Sequence, residues 1–599
     1  MSSSSTSVTE VEPHPSNPQS SKRLYNAGTL GTIRQLVGVA ALCCAMLLTQ
    51  SALGQTVVPI RDIARTFNVL SSDAQQSWFA ASFSLTVGTF VLPAGRVGDV
   101  VGHKPIVVLG YLILTLFSLL AGLSHYTGSY IFFDVCRAMQ GIGCAVLLPN
   151  SLAILGRVFA PGTYAKHLSF SFFAATAPNG FLVGALFSTL MSMNRRMGWW
   201  WGFYVMAIAA ALLAGLCLWV LPSEEEMKAV SALWKLDNKE QQGEVAATNE
   251  AASVGGKKDA LWKRLDLFGT ITGVVGLVLF NFAFNQALVV GWETVYVYVL
   301  LIVGVIFIAI FIWGQGKALY PLLPTSVFHL SGCLILLSLA FGWASFGIWV
   351  FYLNLFEQNI RKYTPIFTLL TFVPAGVAGI IAAFSSAQIL GRTSPPFVML
   401  LSLLAFCIGI CIAGNAPVHT EALPYISSAI MPFGMDMSFP AASIILSDFL
   451  PTHQQGAASS IVNTVVNYSV ALGLGFAGVV ETHVNDGGRN TLKGYRGAFY
   501  MGMGFAGAGV ATRLPLPRQN ISPADDEEKK LGIMMKLLNL VNLAALICVI
   551  TRYSRTKCTN CQAEMFNPSL PVQTKVAAVV YIALLLTISL LAVVGFEGV

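Results

Sequence analysis

The sequence predicts an all-α polytopic membrane protein, and three observations support this fold class. Hydrophobic residues occupy 55% of the 599 positions and charged residues only 11%, whereas a soluble domain carries about 25% charged residues. Apolar runs of about 20 residues recur along the chain, and a helix needs this length to cross the hydrocarbon core of a bilayer. Short polar breaks that contain glycine and basic residues separate the runs.

Fourteen apolar runs are candidate membrane spans, and two further apolar segments follow them. The fourteen cover residues 35–60, 77–94, 105–123, 129–152, 169–191, 199–221, 267–289, 293–315, 330–353, 364–386, 396–414, 423–446, 457–480 and 495–511, and the further two cover 531–551 and 574–595. With the N-terminus inside, the inner segments before the fourteenth span hold sixteen Lys and Arg residues and the outer loops hold nine. Cytoplasmic loops are the more positive ones, so we expect the N-terminus in the cytoplasm.

The polar breaks divide the chain into six parts. These are a disordered cytoplasmic tail (1–34), an N-terminal six-helix bundle (35–221), a cytoplasmic linker (222–266), two inserted helices (267–315), a C-terminal bundle (316–511) and an atypical tail (512–599). We expect the linker, with Glu224-Glu225-Glu226, to be solvated. Its Gly255-Gly256-Lys257 is not a phosphate-binding loop, because Ala251 replaces the first glycine. In the atypical tail, either 531–551 serves as the fourteenth span or the reading frame changes after Val510.

One turn is rich in glycine and charge for a chain of this kind. It follows the second span and reads GRVGDVVGHK, with Gly95, Gly98, Asp99, Gly102, His103 and Lys104. Glycines allow a sharp turn and a close approach of backbones. We expect Asp99 to accept from the N–H groups that begin the next helix, and His103 and Lys104 to lie in the cytosolic interface. Such a turn can hold two helix bundles together on one side of a membrane.

This turn and part of the fourth span resemble sequence motifs of the major facilitator superfamily. The turn is similar to motif A, with Val100 in place of the basic residue that usually forms a second salt bridge. Arg137, Gln140 and Gly141 resemble motif B. An arginine inside a membrane helix is costly and faces a cavity or a partner, and Asp134 lies one helical turn away. The Asp134–Arg137 pair is either purely structural or part of proton coupling.

The fifth span resembles the antiporter motif of the same superfamily. It keeps Pro178, Gly180 and Gly184, with Ala177 in place of a glycine, and the spacing of its glycines allows close helix packing. With fourteen spans, the chain resembles the fourteen-spanner drug:proton antiporters, and within them the fungal aminotriazole-resistance-like efflux proteins. The resemblance covers residues 30–510, and LLTQSALGQTVVPI (47–60), LFNFAFNQALVVGW (279–292) and QQGAASSIVNT (454–464) also carry it.

The resemblance implies a fold, an activity and an energy source. The fold is that of the major facilitators, with two six-helix bundles and two extra central helices. The activity is export of small organic toxins, drugs or secondary metabolites by alternating access, in exchange for protons. The proton gradient supplies the energy, and we expect no cofactor. We expect a monomer in the lipid bilayer of the plasma membrane, with the vacuolar membrane as the alternative.

Acidic residues are rare inside the spans, which narrows the choice of a proton carrier. Asp436 lies midway along the twelfth span, whereas Glu357 and Asp448 lie near the ends of theirs. We expect Asp436 to carry the proton; the alternative is a carboxyl group satisfied by backbone at the Pro432 and Pro440 breaks.

Amide side chains provide hydrogen bonds without charge and are candidates for the lining of a substrate cavity. The set is Gln50, Gln55, Asn150, Asn281, Asn285, Gln286 and Asn354. The alternative role for each amide is a hydrogen bond between helices.

Other classes of function have little support in the sequence. The motifs H-E-x-x-H and G-x-S-x-G are absent and the histidines are scattered, so we expect neither an enzyme nor a metal site. No block of Lys and Arg with interleaved aromatic residues predicts a nucleic-acid partner. The expected partner is a small-molecule substrate. Within transport, the alternative is a low-affinity carrier of a small polar solute such as ammonium or borate.

Overall fold

The computed structural model describes residues 32–159, 164–194, 196–227, 265–291, 293–323, 327, 330–390, 392–448 and 455–512. Within these residues the chain forms fourteen long helices. They are α1 (Thr32–Val57), α2 (Asp73–Val101), α3 (His103–Leu123), α4 (Tyr130–Val158), α5 (Tyr164–Met193), α6 (Trp200–Val220), α7 (Leu267–Val290), α8 (Val295–Gln315), α9 (Leu330–Leu355), α10 (Pro365–Leu390), α11 (Pro395–Gly414), α12 (Ala422–Asp448), α13 (Gln455–Val484) and α14 (Thr491–Ala511). A short helix, Ile60–Thr66, follows α1, and a π-helical turn, Phe356–Ile360, extends α9.

The fourteen long helices coincide with the fourteen predicted spans. Across the described ranges, thirteen of them, α1–α13, are long and apolar enough to cross a membrane. The remaining helix, α14, carries Lys493 and Arg496 in its first two turns and packs against α9, α11 and α13. The prediction of an all-α polytopic membrane protein is confirmed.

The helices pack as two bundles with a hairpin beside them. Helices α1–α6 form the N-terminal half and α9–α14 form the C-terminal half. The halves meet along two seams, where α2 packs against α13 and α5 packs against α10. The hairpin of α7 and α8 lies beside the first seam, because α7 contacts both α2 and α13. The expected pair of six-helix bundles with two extra helices is confirmed.

The hairpin is closed by a capping aspartate that the sequence analysis did not single out. The Asp266 carboxylate accepts from the backbone N–H of Gly269 at the start of α7, at 3.1 Å. Its other oxygen accepts from Gln315 Nε2 at the end of α8, at 2.7 Å. The hairpin is tied to α13 by the Tyr468 hydroxyl, which donates to the Leu277 carbonyl at 3.0 Å.

Glycines bring α1 and α5 into backbone contact. A Cβ atom added at Gly180 would lie 2.4 Å from the Leu47 carbonyl oxygen, and one at Gly184 would lie 2.1 Å from that of Ser51. From the other side, a Cβ atom at Gly54 would lie 2.0 Å from the carbonyl oxygen of Phe181. No side chain fits at these distances, so the small-x-x-x-small spacing of α5 sets how closely it packs against α1.

The start of the predicted linker is docked against the N-terminal half. The Arg34 guanidinium donates to both carboxylate oxygens of Glu226, at 3.2 and 3.1 Å, and this hydrogen bonding holds the pKa of Glu226 below its usual value. Glu224 Oε1 accepts from the backbone N–H of His103 at 2.7 Å. Glu224 and Glu226 are therefore held by the N-terminal half, while the Glu226 side chain is still 44% exposed to solvent. Three parts of the chain lie outside the described residues. They are the rest of the linker (228–264), most of the N-terminal tail (1–31) and residues 513–599, which include segments 531–551 and 574–595.

A leucine at Gly184 tests the backbone contact between α1 and α5. We expect Gly184→Leu to lower the melting temperature of the purified protein, because overpacking of this kind costs about 1–3 kcal/mol or more. The control is Gly504→Leu on α14, where an added Cβ atom meets nothing within 4 Å. Both substitutions gain the same helix propensity, about 0.8 kcal/mol. Equal melting temperatures for the two variants would contradict the packing.

Candidate functional site

The glycine-rich turn between α2 and α3 is built around one amide side chain. Gly102 has a φ angle of 113°, which favours glycine. A Cβ atom at Gly98 would lie 1.7 Å from the Asn150 side-chain oxygen, so only glycine leaves room for this amide. Asn150 Oδ1 lies 2.8 Å from His103 Nδ1, and its Nδ2 donates to the Ala94 carbonyl at 3.2 Å. Asn150 therefore belongs to the packing of the turn.

The charges of the turn are arranged differently from the prediction. Glu224, instead of Asp99, accepts the N–H that begins α3. Asp99 lies 3.8 Å from Arg157 and 3.6 Å from His103 Nε2, and Arg157 also lies 3.7 Å from Glu224. His103 is 1% exposed, so its ring is enclosed within the turn. Val100 carries no charge, and Arg157 forms the ion pairs with Asp99 and Glu224 instead.

The charged groups of the turn bind mainly within the N-terminal half. Lys104 Nζ donates to the Leu221 carbonyl at the end of α6, at 2.7 Å. Contact with the C-terminal half is made by Gly95, where a Cβ atom would lie 2.9 Å from the Ser460 hydroxyl of α13. Arg96 also lies over the ring of Tyr320. The turn therefore meets the C-terminal half through a close steric contact at Gly95, and it meets the segment between α8 and α9 through a cation–π contact at Arg96.

Arg137 is a fully buried guanidinium inside the N-terminal half. It is 0% exposed; its Nε donates to the Phe79 carbonyl at 3.1 Å and its NH1 donates to Gln140 Oε1 at 2.7 Å. Gln140 in turn donates to the Ser118 hydroxyl at 2.7 Å. The guanidinium also lies 4.6 Å from the ring centroid of Phe83. These contacts join α2, α3 and α4.

The Asp134–Arg137 ion pair is not formed. No nitrogen of Arg137 lies within salt-bridge distance of Asp134, and in the described part of the chain the buried Oδ1 atom of Asp134 has no hydrogen-bond partner. Gly141 packs against α2, since a Cβ atom there would lie 2.1 Å from the Thr86 hydroxyl. The motif B residues therefore pack α4 against its neighbours, while Asp134 stays apart from Arg137.

Asp436 lies at the seam between α5 and the C-terminal half. It is 6% exposed, and its Oδ2 atom has no hydrogen-bond partner among the described residues. A Cβ atom at Gly379 of α10 would lie 3.3 Å from that oxygen and 2.1 Å from Pro178 Cγ. The proline of the antiporter motif and the aspartate of α12 thus meet at one glycine. By contrast, Glu357 forms a buried ion pair with Arg361 at 3.2 Å.

A cavity lies beside this contact, between the two halves. Its walls are Gln50, Ala177, Pro178, Phe181, Leu182, Phe346, Trp349, Val350, Phe372, Ala375, Met431, Pro432 and Met435. Its volume of about 30 Å³ is enough for two water molecules, so an organic molecule requires the halves to move apart. Pro178 belongs both to the cavity wall and to the contact with Gly379, and Met435 is next to Asp436 in sequence.

The predicted amide set does not line one cavity. Of these residues, only Gln50 is in the cavity wall. Gln55 is buried in α1 with its Nε2 atom unpaired within the described ranges. Asn285 donates to Asn281 in α7 at 2.7 Å, and Gln286 donates to Tyr296 of α8 at 3.0 Å, so all three belong to the hairpin. These hairpin amides and Asn150 lie outside the wall of this cavity. Asn354 is also outside it and donates to the Val57 carbonyl at 2.6 Å, so the cavity role of these amides stays a prediction.

Four aromatic residues of the cavity were missed by sequence reasoning. The Phe372 ring lies 5.6 Å from that of Phe181 and 5.5 Å from that of Trp349, and Phe346 lies 5.9 Å from Trp349. Trp349 is oriented by its Nε1, which donates to the Ser427 hydroxyl at 2.7 Å. Aromatic residues are frequent throughout this chain, so the sequence contains no signal that separates these four from lipid-facing ones.

Comparison with known proteins places the chain in a family. The family model of the Major Facilitator Superfamily matches residues 40–474 and, in a second match, residues 395–597. A low affinity ammonium transporter of Saccharomyces cerevisiae is 45% identical over 79% of this chain and 86% of its own length. The aminotriazole resistance protein of the same yeast is 39% identical over 77% of this chain and 80% of its own.

A third relative is an efflux pump, terJ of Aspergillus terreus, which is 38% identical over 80% of this chain and 86% of its own length. Each of the three relatives matches most of the chain, and two of them are named as a transporter and an efflux pump. The resemblance to fungal efflux-like proteins is confirmed. The chain is a multi-pass membrane transporter that belongs to the major facilitator superfamily.

Proposed function

We propose that this protein is a proton-coupled exporter of small organic molecules. The observation that carries the proposal is the contact of Asp436, Pro178 and Gly379 at the seam between the halves. Alternating access exposes such a seam first to one side of the membrane and then to the other. A titratable group at this position meets water in the open states and is enclosed in the closed state.

The burial of Asp436 supports a coupling role for its proton. A bare carboxylate enclosed without a partner is costly, so the closed seam favours the neutral acid. When the seam opens to water, the carboxylate is solvated and the proton is free to leave. Asp134 also has an unpaired oxygen, but it lies on α4 within the N-terminal half. We therefore assign the coupling role to Asp436 and a structural role to the motif B residues.

The cavity wall supports an organic substrate with apolar surface. Six of the thirteen residues of the wall are Phe, Trp or Met, and such side chains adapt to apolar ligands of different shape. A substrate that enters displaces the wall at Pro178, and Pro178 touches the glycine beside Asp436. Substrate binding and proton release therefore act on the same contact, which is the basis of exchange.

A low-affinity carrier of ammonium or borate is the second candidate function. The relative that is 45% identical to this chain carries the name of an ammonium transporter. The apolar cavity wall favours the export of organic molecules over this candidate. On either function, we infer a monomer in the plasma membrane that acts on a small molecule, with no cofactor, no metal and no enzymatic step.

Replacement of Asp436 by asparagine tests the coupling role. Inside-out vesicles hold a pH-sensitive dye and an acid interior, and aminotriazole or an apolar antifungal compound is added outside. We expect the compound to discharge the proton gradient in vesicles with the wild type and not in those with Asp436→Asn, because the amide cannot exchange a proton.

Asp134→Asn is the matched control, since it also removes a buried acid. We expect it to keep discharging the gradient. Loss of discharge in Asp134→Asn with retention in Asp436→Asn would move the coupling role to the fourth helix. Discharge by ammonium or borate that is faster than in vesicles without the protein, with no response to any organic compound, would reject the export of organic molecules in favour of the second candidate.

Truncation of Phe372 tests the assignment of the cavity. We expect Phe372→Ala to raise the half-saturating concentration of an exported aromatic compound by about tenfold to a hundredfold, the value of one buried phenylalanine side chain. Phe367→Ala is the control on the same helix, because Phe367 is 56% exposed and faces away from the cavity. Equal transport curves for the two variants, at equal melting temperature, would place the substrate elsewhere.

A further inference from the structure

Hydrogen bonds join the two halves at the predicted outer end of the bundle. Helix α1 ends at Val57, and the short helix that follows begins at Ile60. At such a break the last carbonyl groups have no partner in their own helix. Asn354 Nδ2 donates to the Val57 carbonyl and Gln358 Nε2 donates to the Val58 carbonyl, both at 2.6 Å. Two buried amides of the C-terminal half thus satisfy backbone of the N-terminal half.

The π-helical turn at the end of α9 positions these amides. Gln358 also donates to Asn354 Oδ1 at 2.9 Å, so each amide orients the other. Arg61 of the N-terminal half returns a hydrogen bond to the Gln358 carbonyl at 3.0 Å. Within the same turn, the ion pair of Glu357 and Arg361 anchors the segment, and Arg361 also donates to the Pro417 carbonyl at 2.9 Å. Turns of this kind are frequent at functional sites.

A second connection runs from the same turn to α2. Asn359 Nδ2 donates to the Tyr495 hydroxyl of α14. That hydroxyl donates to Asp73 Oδ2 at the start of α2, at 2.7 Å. Tyr495 is fully buried. Because Asn359 donates to its hydroxyl oxygen, the hydroxyl hydrogen is directed to Asp73. Because the phenol accepts from one half and donates to the other, the direction of this chain of hydrogen bonds is fixed.

We propose that these contacts are the latch of the outer gate. The outer latch consists of Asn354, Gln358 and Tyr495 in the C-terminal half and their acceptors at Val57, Val58 and Asp73 in the N-terminal half. Opening to the outside separates the two groups and breaks each of these hydrogen bonds. The three side chains are positioning residues: they bind no substrate and set how often the carrier opens outward. The inference rests on alternating access and not on the identity of the cargo.

The chemistry of the latch suits a contact that forms and breaks in every cycle. A hydrogen bond between protein groups contributes little net stability when water can replace it. Near the outer surface, water fills the sites that opening leaves behind. Apolar contacts at the same place would expose apolar surface instead, at a cost that grows with area. Several directional bonds of modest strength hold the gate closed and still allow it to open.

Distance measurements between spin labels test the latch directly. Ser71 and Arg489 are exposed residues of opposite halves at this end, and labels at their positions, in a background without accessible cysteines, report the separation. The variants are Asn354→Leu, Gln358→Met and Tyr495→Phe, each close in shape to the native side chain. We expect each variant to raise the ratio of outward-open to closed molecules by about 2- to 10-fold, the value of one hydrogen bond.

The control is Gln286→Met, which removes an amide bonded to Tyr296 within the hairpin. We expect it to leave the distances unchanged. Tyr495→Phe combined with Asp73→Asn should open the gate no further than Tyr495→Phe alone, since Tyr495→Phe has already removed the hydrogen bond to Asp73. Unchanged distances in all three latch variants, with native melting temperatures, would overturn the proposal, as would an equal change in Gln286→Met.

The same measurement separates the latch from the proposed export function. The distances are recorded without substrate and without a proton gradient. Opening in the latch variants, together with no exchange of any organic compound in vesicles, would leave the latch standing and reject the export of organic molecules. Export of an organic compound in vesicles, together with unchanged distances in the latch variants, would support the export function and reject the latch.

Discussion

The contact of Pro178, Gly379 and Asp436 is the constraint on which the arrangement of the halves depends. Gly379 has no side chain, and a single added carbon would lie 2.1 Å from Pro178 Cγ. The absence of that carbon allows α5 and α10 to close over a carboxyl group. Such a carboxyl is tolerated only as long as its charge is neutralised or hydrated. In the proposed mechanism, closure of the seam and protonation of Asp436 are linked by the same few atoms.

The two ends of the molecule use different chemistry around this contact. At the glycine-rich turn, Asp99, Arg157 and Glu224 pair within the N-terminal half, so the charges stiffen one bundle. At the opposite end, the outer latch runs between the halves. Charges that stay within one bundle keep their partners when the bundles move. Hydrogen bonds between the bundles instead influence the ratio of outward-open to closed molecules. This division fits a carrier in which the bundles move as units.

Much of the fold was predictable because hydrocarbon permits few solutions. Backbone in a bilayer must satisfy its own hydrogen bonds, so each of the fourteen apolar runs in the described part of the chain became a helix. The glycine spacing of α5 likewise indicated its packing against α1. Positive charge indicated the sides of the membrane, but no signal in the sequence showed that Glu224 and Glu226 leave a charged linker to bind α3 and Arg34.

The site was predictable only where a residue type is rare. Asp436 stood out because acids inside spans are few, and the structure places it at the seam. The amides did not stand out in the same way, since the same side chain serves in a cavity, a hairpin or a gate. Gln50 lines the cavity, while Asn354 joins the halves near the outer end. Which of these roles an amide takes depends on which helices meet, and this is a property of the tertiary structure.

Infrared spectroscopy of the carboxyl group tests whether Asp436 exchanges a proton. The purified protein in lipid nanodiscs is titrated with acid while the C=O stretching band of protonated carboxylic acids is followed. We expect the wild type to show a band of the Asp436 carboxyl group that appears and disappears with pH. This band should be missing from the spectrum of Asp436→Asn. Identical titrations of the two proteins would contradict it, because Asp436 would then exchange no proton.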